Sequence, residues 1–330
     1  MGKYHVASLE LPNVSDYPFC PQEGLIRLML VTNPATNTPK QDGMKILITG
    51  ANGFTGQHFA KMSQAAGHEP IGLRADITDP IALEKEILSI APTAVAHFAG
   101  ISFVASKDNE AFYRVHALGT SNLLSSLTKL SKPPSKILLA SSATVYGNAG
   151  DPFSVETQAL NPVDHYAMSK VAMEEMAKTY MDRLSIIIVR PFNYTGPGQR
   201  DNFLIPKLIK HFAQKLPAIE LGNLDVEREF NDVRMICDAY LNLLSHGIPG
   251  EIYNVCSGNP RSLKQVLEAL IKITGHNINV TVNPEFVRQN EVRRMCGNPA
   301  KLTALLQANH LELIQPSLEE TLQSMLLAKK

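Results

Sequence analysis

The chain has 330 residues, of which 44% are hydrophobic and 19% charged, so it can form one large core or two modest ones. Lysine plus arginine (31) balance aspartate plus glutamate (31), which argues against nucleic acid or an anionic membrane as the main partner. The four cysteines form no C-x-x-C pair, and no apolar run approaches the roughly 20 residues that span a bilayer. The composition predicts a cytoplasmic protein with neither a metal site nor a membrane segment.

The first 43 residues show no sustained periodicity and end in a stretch of turn formers, N-P-A-T-N-T-P-K-Q-D-G. We interpret residues 1–43 as an N-terminal extension outside the fold, with part of it disordered. Met44 is a natural start for the folded domain, and translation from an upstream start is an alternative origin for the extension.

From Met44 onward, short apolar strands alternate with helical patterns. Strands are predicted at Ile46–Thr49, Ile71–Leu73, Ala94–Phe98, Lys136–Ala140 and Ile186–Val189. Helices are predicted at Phe54–Ala66, Ile81–Ile90, Glu110–Leu130 and Tyr166–Arg183. This alternation predicts an α/β fold with a Rossmann-like, doubly wound parallel sheet over residues 44–190. Residues 191–330 are predicted to form a smaller C-terminal region, with some segments returning to the sheet and helices at Ile205–Gln214, Arg234–Leu244, Ser262–Thr274 and Ser317–Ala328.

The first strand runs into three glycines, Gly50, Gly53 and Gly56, and then into a helix. Such a turn lets the backbone approach a pyrophosphate, which binds the free N–H groups of the helix start. An ordinary glycine-rich turn is the alternative. The spacing G-x-x-G-x-x-G resembles the short-chain dehydrogenase/reductase superfamily. The predicted dinucleotide contacts in this loop are Gly50, Asn52, Gly53, Phe54, Thr55 and Gly56.

The second strand leads into Arg74, with Asp76 two residues later. An arginine at this position suits the 2′-phosphate of NADP, whereas an acidic residue suits the ribose of NAD. The sequence therefore favours NADP, with NAD as the alternative and a solvated surface arginine as the non-functional reading. Asp76 and Ile77 are expected beside the adenine. After the third strand, the small residues Ala99 and Gly100 are expected to let the cofactor pass close to the backbone.

The fourth strand runs into Ser141 and Ser142, and Tyr166 follows 24 residues after Ser142, with Lys170 four residues later. Tyrosine and lysine at i and i+4 share one helix face, so the ammonium is expected to lower the pKa of the phenol. A tyrosine so tuned can donate or accept a proton at a carbonyl or hydroxyl. Together with the glycine loop, this combination predicts catalytic roles for Ser142, Tyr166 and Lys170. The resemblance to the short-chain dehydrogenase/reductases implies that Tyr166 and Lys170 also meet the cofactor.

From Met44 on, the chain resembles the extended short-chain dehydrogenase/reductases that act on nucleotide-diphosphate sugars, through T-G-A-N-G-F-T-G, H-F-A-G, S-S-A-T-V-Y-G, Y-A-M-S-K and R-P-F-N-Y-T-G-P-G-Q. The resemblance implies that Ser142 holds the reacting sugar oxygen, that Tyr166 is the acid/base and that Lys170 holds the nicotinamide ribose. It also implies that residues 191–330 bind mainly the nucleotide sugar.

Four substrate contacts follow from the resemblance. Asn193 and Arg228 match residues near the sugar pyrophosphate, and R-Q-N-E-V resembles R-P-A-E-V of the GDP-mannose dehydratase and reductase branch. There, the positions of Arg288 and Glu291 meet the pyrophosphate and the guanosine ribose, which implies a GDP-sugar substrate. Each of these residues alone is also compatible with an ordinary exposed charge.

The residue types leave reduction and 4-epimerisation open. The family's 4,6-dehydratases have an acid at the position of Thr144, which argues against dehydration here. Later stretches look most like the GDP-4-keto-6-deoxy-D-mannose reductases, so we expect reduction of the C4 keto group to give GDP-D-rhamnose, a precursor in polysaccharide biosynthesis. A nucleotide-sugar 4-epimerase that retains NAD, and a non-catalytic dinucleotide-binding protein, are the alternatives.

Two positions depart from the family pattern. His116 stands where asparagine is usual, and Glu229 replaces an aspartate. We expect His116 to be structural, because a lone histidine on a helix is usually a satisfied interior residue. The resemblance also implies a homodimer, paired through the helices Glu110–Leu130 and Tyr166–Arg183.

Overall fold

The computed structural model describes residues 43–101, 108–148, 152–286 and 292–329. The predicted extension, apart from Gly43, lies outside these residues, and so do Arg288 and Glu291. The described residues belong to one compact unit, Gly43–Lys330. Within them, no helix combines the length and the apolar character needed to cross a membrane.

A six-stranded parallel sheet forms the centre of this unit, and it has the order β10-β5-β4-β3-β1-β2. The strands of the chain are β1 Lys45–Thr49, β2 Glu69–Gly72, β3 Ala94–His97, β4 Lys136–Ala140, β5 Ile186–Pro191, β6 Tyr194–Thr195, β7 Ala218–Leu221, β8 Glu227–Arg228, β9 Asn231–Asp232, β10 Ile252–Val255, β11 Arg261–Ser262, β12 Asn279–Val282 and β13 Arg294–Met295. The predicted Rossmann-like, doubly wound parallel sheet is confirmed. The sixth strand, β10, was missing from the prediction.

Helices cover both faces of the sheet. They are α1 Phe54–Ala65, α2 Pro80–Ile90, α3 Asn109–Tyr113, α4 Thr120–Leu127, α5 His165–Lys178, α6 Leu204–Ala213, α7 Val233–His246, α8 Leu263–Thr274, α9 Ala300–Ala308 and α10 Leu318–Leu327. Successive residues of β1 point to opposite faces. Ile46 and Ile48 therefore join the core under α1 and α7, while Leu47 joins the core under α2 and α4.

The order of the strands predicts a ligand site at the carboxyl ends of the central strands. The chain leaves β1 for β2 on one side and then crosses to β3 on the other side of β1, so the strand order reverses between β1 and β3. In open parallel sheets, ligands bind beyond the carboxyl ends of the strands at this point of reversal. The glycine loop follows β1 there, and Ala99 follows β3.

The C-terminal part of the chain has a core of its own. Helices α6, α8 and α10 pack around Leu208, Ile209, Val266 and Leu270, next to the two-stranded sheet β12-β7. The four helices predicted after Arg190 are present within two residues of their expected ends. Helix α9 and the short strands of this part were not predicted.

One predicted helix is interrupted. The pattern over Glu110–Leu130 corresponds to α3, then a π-helical segment at Arg114–Gly119, then α4. A π-helical turn inserts an extra residue into the helix and is often found at functional sites. The segment contains His116, which is completely buried.

Candidate active site

The glycine loop at the end of β1 fits closely against β3. Gly50 has φ +71°, and a Cβ built there would lie 2.8 Å from the amide nitrogen of Ala99. A Cβ at Gly56 would lie 2.3 Å from the carbonyl oxygen of Gly50. Gly50 is therefore required by its positive φ and by the lack of room for a Cβ, and Gly56 by the lack of room alone. The predicted cofactor residues Gly50, Gly56 and Ala99 lie together.

The start of α1 can receive an anion. Gly53 is the N-cap residue, and among the described residues no side chain caps the helix at this position. Its first N–H groups and the positive end of its dipole therefore suit a phosphate group. The loop and the helix start thus fit the pyrophosphate of a dinucleotide.

The segment after β2 is held by a residue that sequence reasoning missed. Both carboxylate oxygens of Glu86 in α2 accept backbone hydrogen bonds, from the amide of Arg74 (3.0 Å) and from that of Ala75 (2.7 Å). The side chain of Arg74 is exposed at this edge. Asp76 accepts hydrogen bonds from the amide and hydroxyl of Thr78, which hold the pKa of its carboxyl below the usual value. Ile77 is buried.

Ser142 and Tyr166 meet beyond the end of β4. Ser142 is the N-cap of the short 3₁₀ helix Ala143–Tyr146. Its hydroxyl oxygen accepts hydrogen bonds from the amide (3.2 Å) and from the hydroxyl (2.9 Å) of Thr144. The side chain of Ser142 lies near the Tyr166 phenol and acts to lower its pKa. The N-cap of α5, Asp164, accepts from the amide of Ala167 at 2.8 Å and fixes the helix start next to Tyr166.

Lys170 lies one turn after Tyr166 on α5 and is almost completely buried. Its ammonium donates to the carbonyl of Ala140 at 2.8 Å, at the end of β4. Burial lowers the pKa of Lys170 to about 8, although the negative charge of Glu174 acts in the opposite direction. A Cβ at Gly100 would lie 3.7 Å from the Lys170 ammonium, so the predicted cofactor residue Gly100 also borders the site.

The expected lowering of the Tyr166 pKa is wrong for this structure. Burial raises the pKa of Tyr166, and Ser142 is the main influence in the opposite direction. The spacing placed Lys170 on the correct helix face, but its ammonium is bound by the Ala140 carbonyl. Desolvation therefore has more effect on the phenol than the cation does.

His116 links the loop after β3 to α5. Its Nε2 accepts the backbone N–H of Ile101 at 3.0 Å, so the proton of the neutral ring is on Nδ1. Nδ1 donates to the hydroxyl of Ser169 at 2.8 Å, and Ser169 donates to the carbonyl of Tyr166 at 2.7 Å. Burial, aided by the charge of Lys170, lowers the pKa of His116 to about 2. These contacts agree with the interior, satisfied histidine that we expected.

A second buried histidine supports the same region. His97, the last residue of β3, bonds to the hydroxyl of Thr49 (2.7 Å) through Nδ1 and to the hydroxyl of Thr120 (2.8 Å) through Nε2. Burial lowers the pKa of His97 to about 3. Thr49 also accepts from the amide of Ala99 at 3.0 Å. The backbone that follows β3 is thus tied to β1 through hydrogen bonds.

A buried ion pair lies behind the site, and sequence reasoning missed it. Glu174 is on the same face of α5 as Tyr166 and Lys170. Its carboxylate binds Arg190 of β5 through two hydrogen bonds, at 2.6 and 3.0 Å, and also accepts from the hydroxyl of Ser141. Ser141 precedes Ser142, so the ion pair joins α5 to the strand end that carries the candidate serine.

Of the four predicted substrate residues, the structure describes Asn193 and Arg228. Asn193 is exposed after β5, and its carbonyl accepts from the amide of Asn231. The guanidinium of Arg228 donates to the carbonyls of Val292, the last residue of the R-Q-N-E-V motif, and of Arg293. Arg288 and Glu291 of that motif lie outside the described residues.

Glu229 is structural in this arrangement. Its buried carboxylate accepts hydrogen bonds from the amide of Gly297 (2.7 Å), the amide of Ser257 (2.7 Å) and the side chain of Asn231 (3.0 Å). These bonds satisfy the carboxylate, and no cationic side chain of the described residues is paired with it. The departure from aspartate therefore affects the packing of loops around β8.

Tyr194 connects the glycine loop to the chain after β5. Its hydroxyl hydrogen-bonds to the hydroxyl of Thr55 at 2.7 Å, and its ring stacks against Phe54 with centroids 6.1 Å apart. Burial raises the pKa of Tyr194 to about 12. The motif R-P-F-N-Y-T-G contains Tyr194, but its pattern does not predict this contact, because Thr55 lies 139 positions earlier in the chain.

A comparison with protein families identifies the family of the chain. Residues 46–256 match the model of the NAD dependent epimerase/dehydratase family. The chain belongs to this family. GDP-6-deoxy-D-talose 4-dehydrogenase of Aggregatibacter actinomycetemcomitans is 34% identical over 290 residues, covering 86% of this chain and 99% of that protein. GDP-6-deoxy-D-mannose reductase of Pseudomonas aeruginosa is 35% identical over 274 residues, covering 78% and 89%.

Solved structures of similar proteins agree. RMD from Pseudomonas aeruginosa, complexed with NADPH, superposes with a TM-score of 0.77 at 31% identity, over 86% of this chain and 98% of that one. A candidate epimerase from Burkholderia cenocepacia J2315 gives a TM-score of 0.81 at 41% identity, over 87% and 99%. The resemblance to the extended short-chain dehydrogenase/reductases is thereby confirmed.

In this epimerase/dehydratase family member, the residues expected to carry chemistry converge beyond the carboxyl ends of β1, β3 and β4. At this end of the sheet lie Ser142, Tyr166, Lys170 and Gly100, and the glycine loop follows β1. Over the described ranges, no group of three His, Cys, Asp or Glu side chains is arranged to hold a metal ion.

Proposed function

We propose that the protein is an NADP-dependent reductase of the C4 keto group of GDP-4-keto-6-deoxy-D-mannose, with GDP-D-rhamnose as the product. The meeting of Ser142 and Tyr166 next to Lys170 is the observation that supports proton transfer to a sugar oxygen. Thr144, at the position of the dehydratase acid, supports reduction over dehydration. The two curated relatives act on GDP-6-deoxyhexoses that differ only in configuration at C4, so both names point to chemistry at that carbon.

In the proposed reaction, NADPH supplies a hydride to C4. Tyr166 then donates its hydroxyl proton to the sugar oxygen, which becomes the C4 hydroxyl, and the phenolate remains. Ser142 donates a hydrogen bond to the same oxygen as negative charge develops there. The nearby ammonium of Lys170 stabilises the phenolate. The buried position of Lys170 limits screening of its charge by water.

The proposed preference for NADPH is supported by the exposed guanidinium of Arg74 at the end of the β2 segment, with NAD as the alternative. It is also supported by the NADPH complex of the similar RMD. The proposed contacts along the cofactor are Gly50, Asn52, Gly53, Phe54, Thr55, Gly56, Arg74, Asp76, Ile77, Ala99, Gly100, Tyr166 and Lys170. Substitution of Arg74 by Ala is expected to raise the KM for NADPH and to leave that for NADH unchanged, because only NADPH has the 2′-phosphate.

The GDP-sugar is proposed to bind mainly to residues 191–330, through Asn193, Arg228, Arg288 and Glu291. The position of Arg228 beside Val292 supports a role next to that motif. A homodimer is proposed through the π-helical segment and α5, where Leu118 and Met168 are 62% and 43% exposed. A cytoplasmic location and a role in polysaccharide biosynthesis accompany the proposal as predictions.

The first experiment mixes the purified protein with NADPH and enzymatically prepared GDP-4-keto-6-deoxy-D-mannose. Loss of NADPH absorbance in proportion to a GDP-6-deoxyhexose is the expected result. Proton NMR of the product distinguishes the two C4 configurations by the coupling between H3 and H4, which is large for the rhamnose form and small for the talose form. A small coupling would keep the reductase but overturn the proposed product.

The variant Tyr166→Phe is the control for chemistry. It is expected to lose most of the turnover while its affinity for the GDP-sugar changes little, because only the proton donor is removed. Turnover at the wild-type rate would show that the assigned proton donor is wrong.

A nucleotide-sugar 4-epimerase is the second candidate. It is supported by S-S-A-T-V-Y-G and by the similarity to the candidate epimerase of Burkholderia cenocepacia. An epimerase returns the hydride to its substrate, so UDP- or GDP-hexoses would interconvert without added cofactor. If the hexoses interconvert in this way and the keto sugar causes no oxidation of NADPH, the protein is an epimerase and the proposed reductase function is wrong.

A further inference from the structure

Two aromatic rings pack against Tyr166, and both meet it nearly at right angles. The centroid of the His116 ring is 5.6 Å from that of Tyr166, with the two planes at 85°. The centroid of the Phe112 ring is 5.8 Å away, with the planes at 80°. Edge-to-face pairs at these separations are an arrangement that aromatic side chains favour. The ring that carries the candidate proton donor therefore contacts two neighbours that favour the same orientation of its plane.

The two neighbours form one surface, which we call the aromatic wall (Phe112 and His116). These residues are four positions apart, across the junction between α3 and the π-helical segment. Their own ring centroids lie 5.9 Å apart and their planes are only 30° from parallel, so the two rings face Tyr166 in the same way. Phe112 is 1% exposed and His116 is completely buried. Core packing therefore holds the aromatic wall in place.

The polar contacts of His116 fix the wall relative to α5. Both ring nitrogens are engaged, one by the amide of Ile101 at 3.0 Å and the other by the hydroxyl of Ser169 at 2.8 Å, so the imidazole cannot turn without breaking a hydrogen bond. Ser169 in turn donates to the carbonyl of Tyr166 at 2.7 Å. His116 thus acts on the Tyr166 ring directly and on its backbone through one hydroxyl. The asparagine that is usual at this position in the family has no ring to offer.

The plane of the Tyr166 ring decides where its proton can point. The O–H bond of a phenol lies in the plane of the ring, because an oxygen lone pair conjugates with the ring. Rotation about the Cβ–Cγ bond is broad for a tyrosine without close neighbours, and it turns the proton without moving the oxygen. We propose that Phe112 and His116 are positioning residues that hold the plane of the Tyr166 ring and so aim its proton at the reacting sugar oxygen. The inference rests on the proposed reductase function.

The test removes one ring at a time and uses a neighbouring ring as the control. Phe112→Leu removes a ring without polar atoms, and His116→Asn replaces the other ring by an amide that keeps one acceptor and one donor. Tyr113→Leu is the matched control, because Tyr113 follows Phe112 on α3 and packs at 82° against His165, with ring centroids 6.0 Å apart. The control therefore loses an edge-to-face pair of the same kind, from the same helix but with another partner.

Turnover at saturating NADPH and keto sugar is the first readout. An edge-to-face aromatic pair changes the population of the orientation that it favours by a factor of about 2–10. We therefore expect kcat to fall by about two- to tenfold in Phe112→Leu and in His116→Asn, with the KM for the GDP-sugar and the affinity for NADPH near the wild-type values. The kcat of Tyr113→Leu is expected to stay close to that of the wild type.

The solvent isotope effect is a readout that a merely structural role would not move. A proton that is aimed less well is donated more slowly relative to the other steps, so the effect of heavy water on kcat is expected to increase in Phe112→Leu and His116→Asn. In Tyr113→Leu it is expected to keep the wild-type value. A kcat and an isotope effect like those of this control in both wall variants would overturn the proposal. Phe112→Met, with a flexible side chain that fills irregular space, replaces Phe112→Leu if that variant fails to fold.

A measurement without substrate separates failure of this inference from failure of the proposed function. When 3-fluorotyrosine replaces Tyr166, its fluorine lies on one side of the ring, so two ring orientations that differ by a half-turn have different fluorine NMR shifts. We expect separate signals in the wild type and in Tyr113→Leu, and merged signals in Phe112→Leu because the ring turns faster. Merged signals in the wild type, or separate signals in both wall variants, would overturn the proposal. If the signals behave as expected but the keto sugar causes no oxidation of NADPH, the proposed function is wrong and the positioning of Tyr166 stands.

Discussion

Two adjacent glutamates of α5 provide a direct test of how the candidate site is held. Glu174 pairs with Arg190 at 2.6 Å, with side chains 0% and 3% exposed, whereas Glu175 pairs with Lys178, also at 2.6 Å, with side chains 56% and 46% exposed. The two pairs have the same length and differ in burial. Substitution by glutamine preserves the shape in each case and removes one charge.

The expected cost of Glu174→Gln follows from its partners. The substitution leaves the guanidinium of Arg190 buried without a counter-charge, and it weakens the hydrogen bond from Ser141. Breaking a buried pair in this way costs about 3–5 kcal/mol of unfolding free energy. Glu175→Gln removes a solvent-exposed pair, for which the cost is at most about 1 kcal/mol.

Thermal unfolding followed by circular dichroism measures the difference. At about 2 °C per kcal/mol for a chain of this size, Tm is expected to fall by about 6–10 °C for Glu174→Gln and by at most about 2 °C for Glu175→Gln. Equal, small shifts in the two variants would refute the reasoning, because they would mean that the buried charge of Arg190 finds other compensation. The double variant of Glu174 and Arg190 to uncharged residues should recover part of the loss.

Two further predictions concern the cofactor side of the site. His116→Asn retains an acceptor for Ile101 and a donor for Ser169, so its NADPH affinity, measured by fluorescence titration, should stay near that of the wild type. His116→Leu leaves the amide of Ile101 without its acceptor and the oxygen of Ser169 without its donor, and it should weaken binding roughly tenfold. Equal affinities would assign His116 no influence on the cofactor. Gly56→Ala places its Cβ 2.3 Å from a backbone oxygen and should abolish NADPH binding. Gly67→Ala is the control, because Gly67 has φ +85° and no atom within 4 Å of an added Cβ. It should reduce the free energy of unfolding by about 1–2 kcal/mol without affecting NADPH binding. Normal NADPH binding by Gly56→Ala would contradict the assignment of the glycine loop.

The features that could be predicted from the sequence are those encoded over short distances. The glycine loop combines a strand, a turn and a helix within a dozen residues, and the five predicted strands are continuous apolar runs. Tyr166 and Lys170 lie on one helix face because a helix repeats every 3.6 residues. Ser142 could be placed because it lies two residues after the end of a recognisable strand. Their roles in catalysis remain predictions.

The features that were missed depend on partners far away in the chain. Strand β10 has only four residues, and its identity as a strand is apparent only from its pairing with β5. Glu174 appears in the sequence as one more charge on a helix, and its burial requires Arg190 to arrive from the next strand. The pKa of Tyr166 was predicted with the wrong sign, because the spacing to Lys170 is visible in the sequence whereas the depth of burial is not.

The position of β10 also constrains how the chain can be assembled during synthesis. Its partner β5 ends at Pro191, so the sheet is complete only after residues 192–255 have left the ribosome. Until then β5 is an unprotected edge, and Ile187 and Val189 lack the apolar cover that Tyr240 and Leu243 of α7 later provide. A fragment that stops at residue 190 should therefore aggregate, and residues 44–190 should become soluble only when the chain that follows them is present.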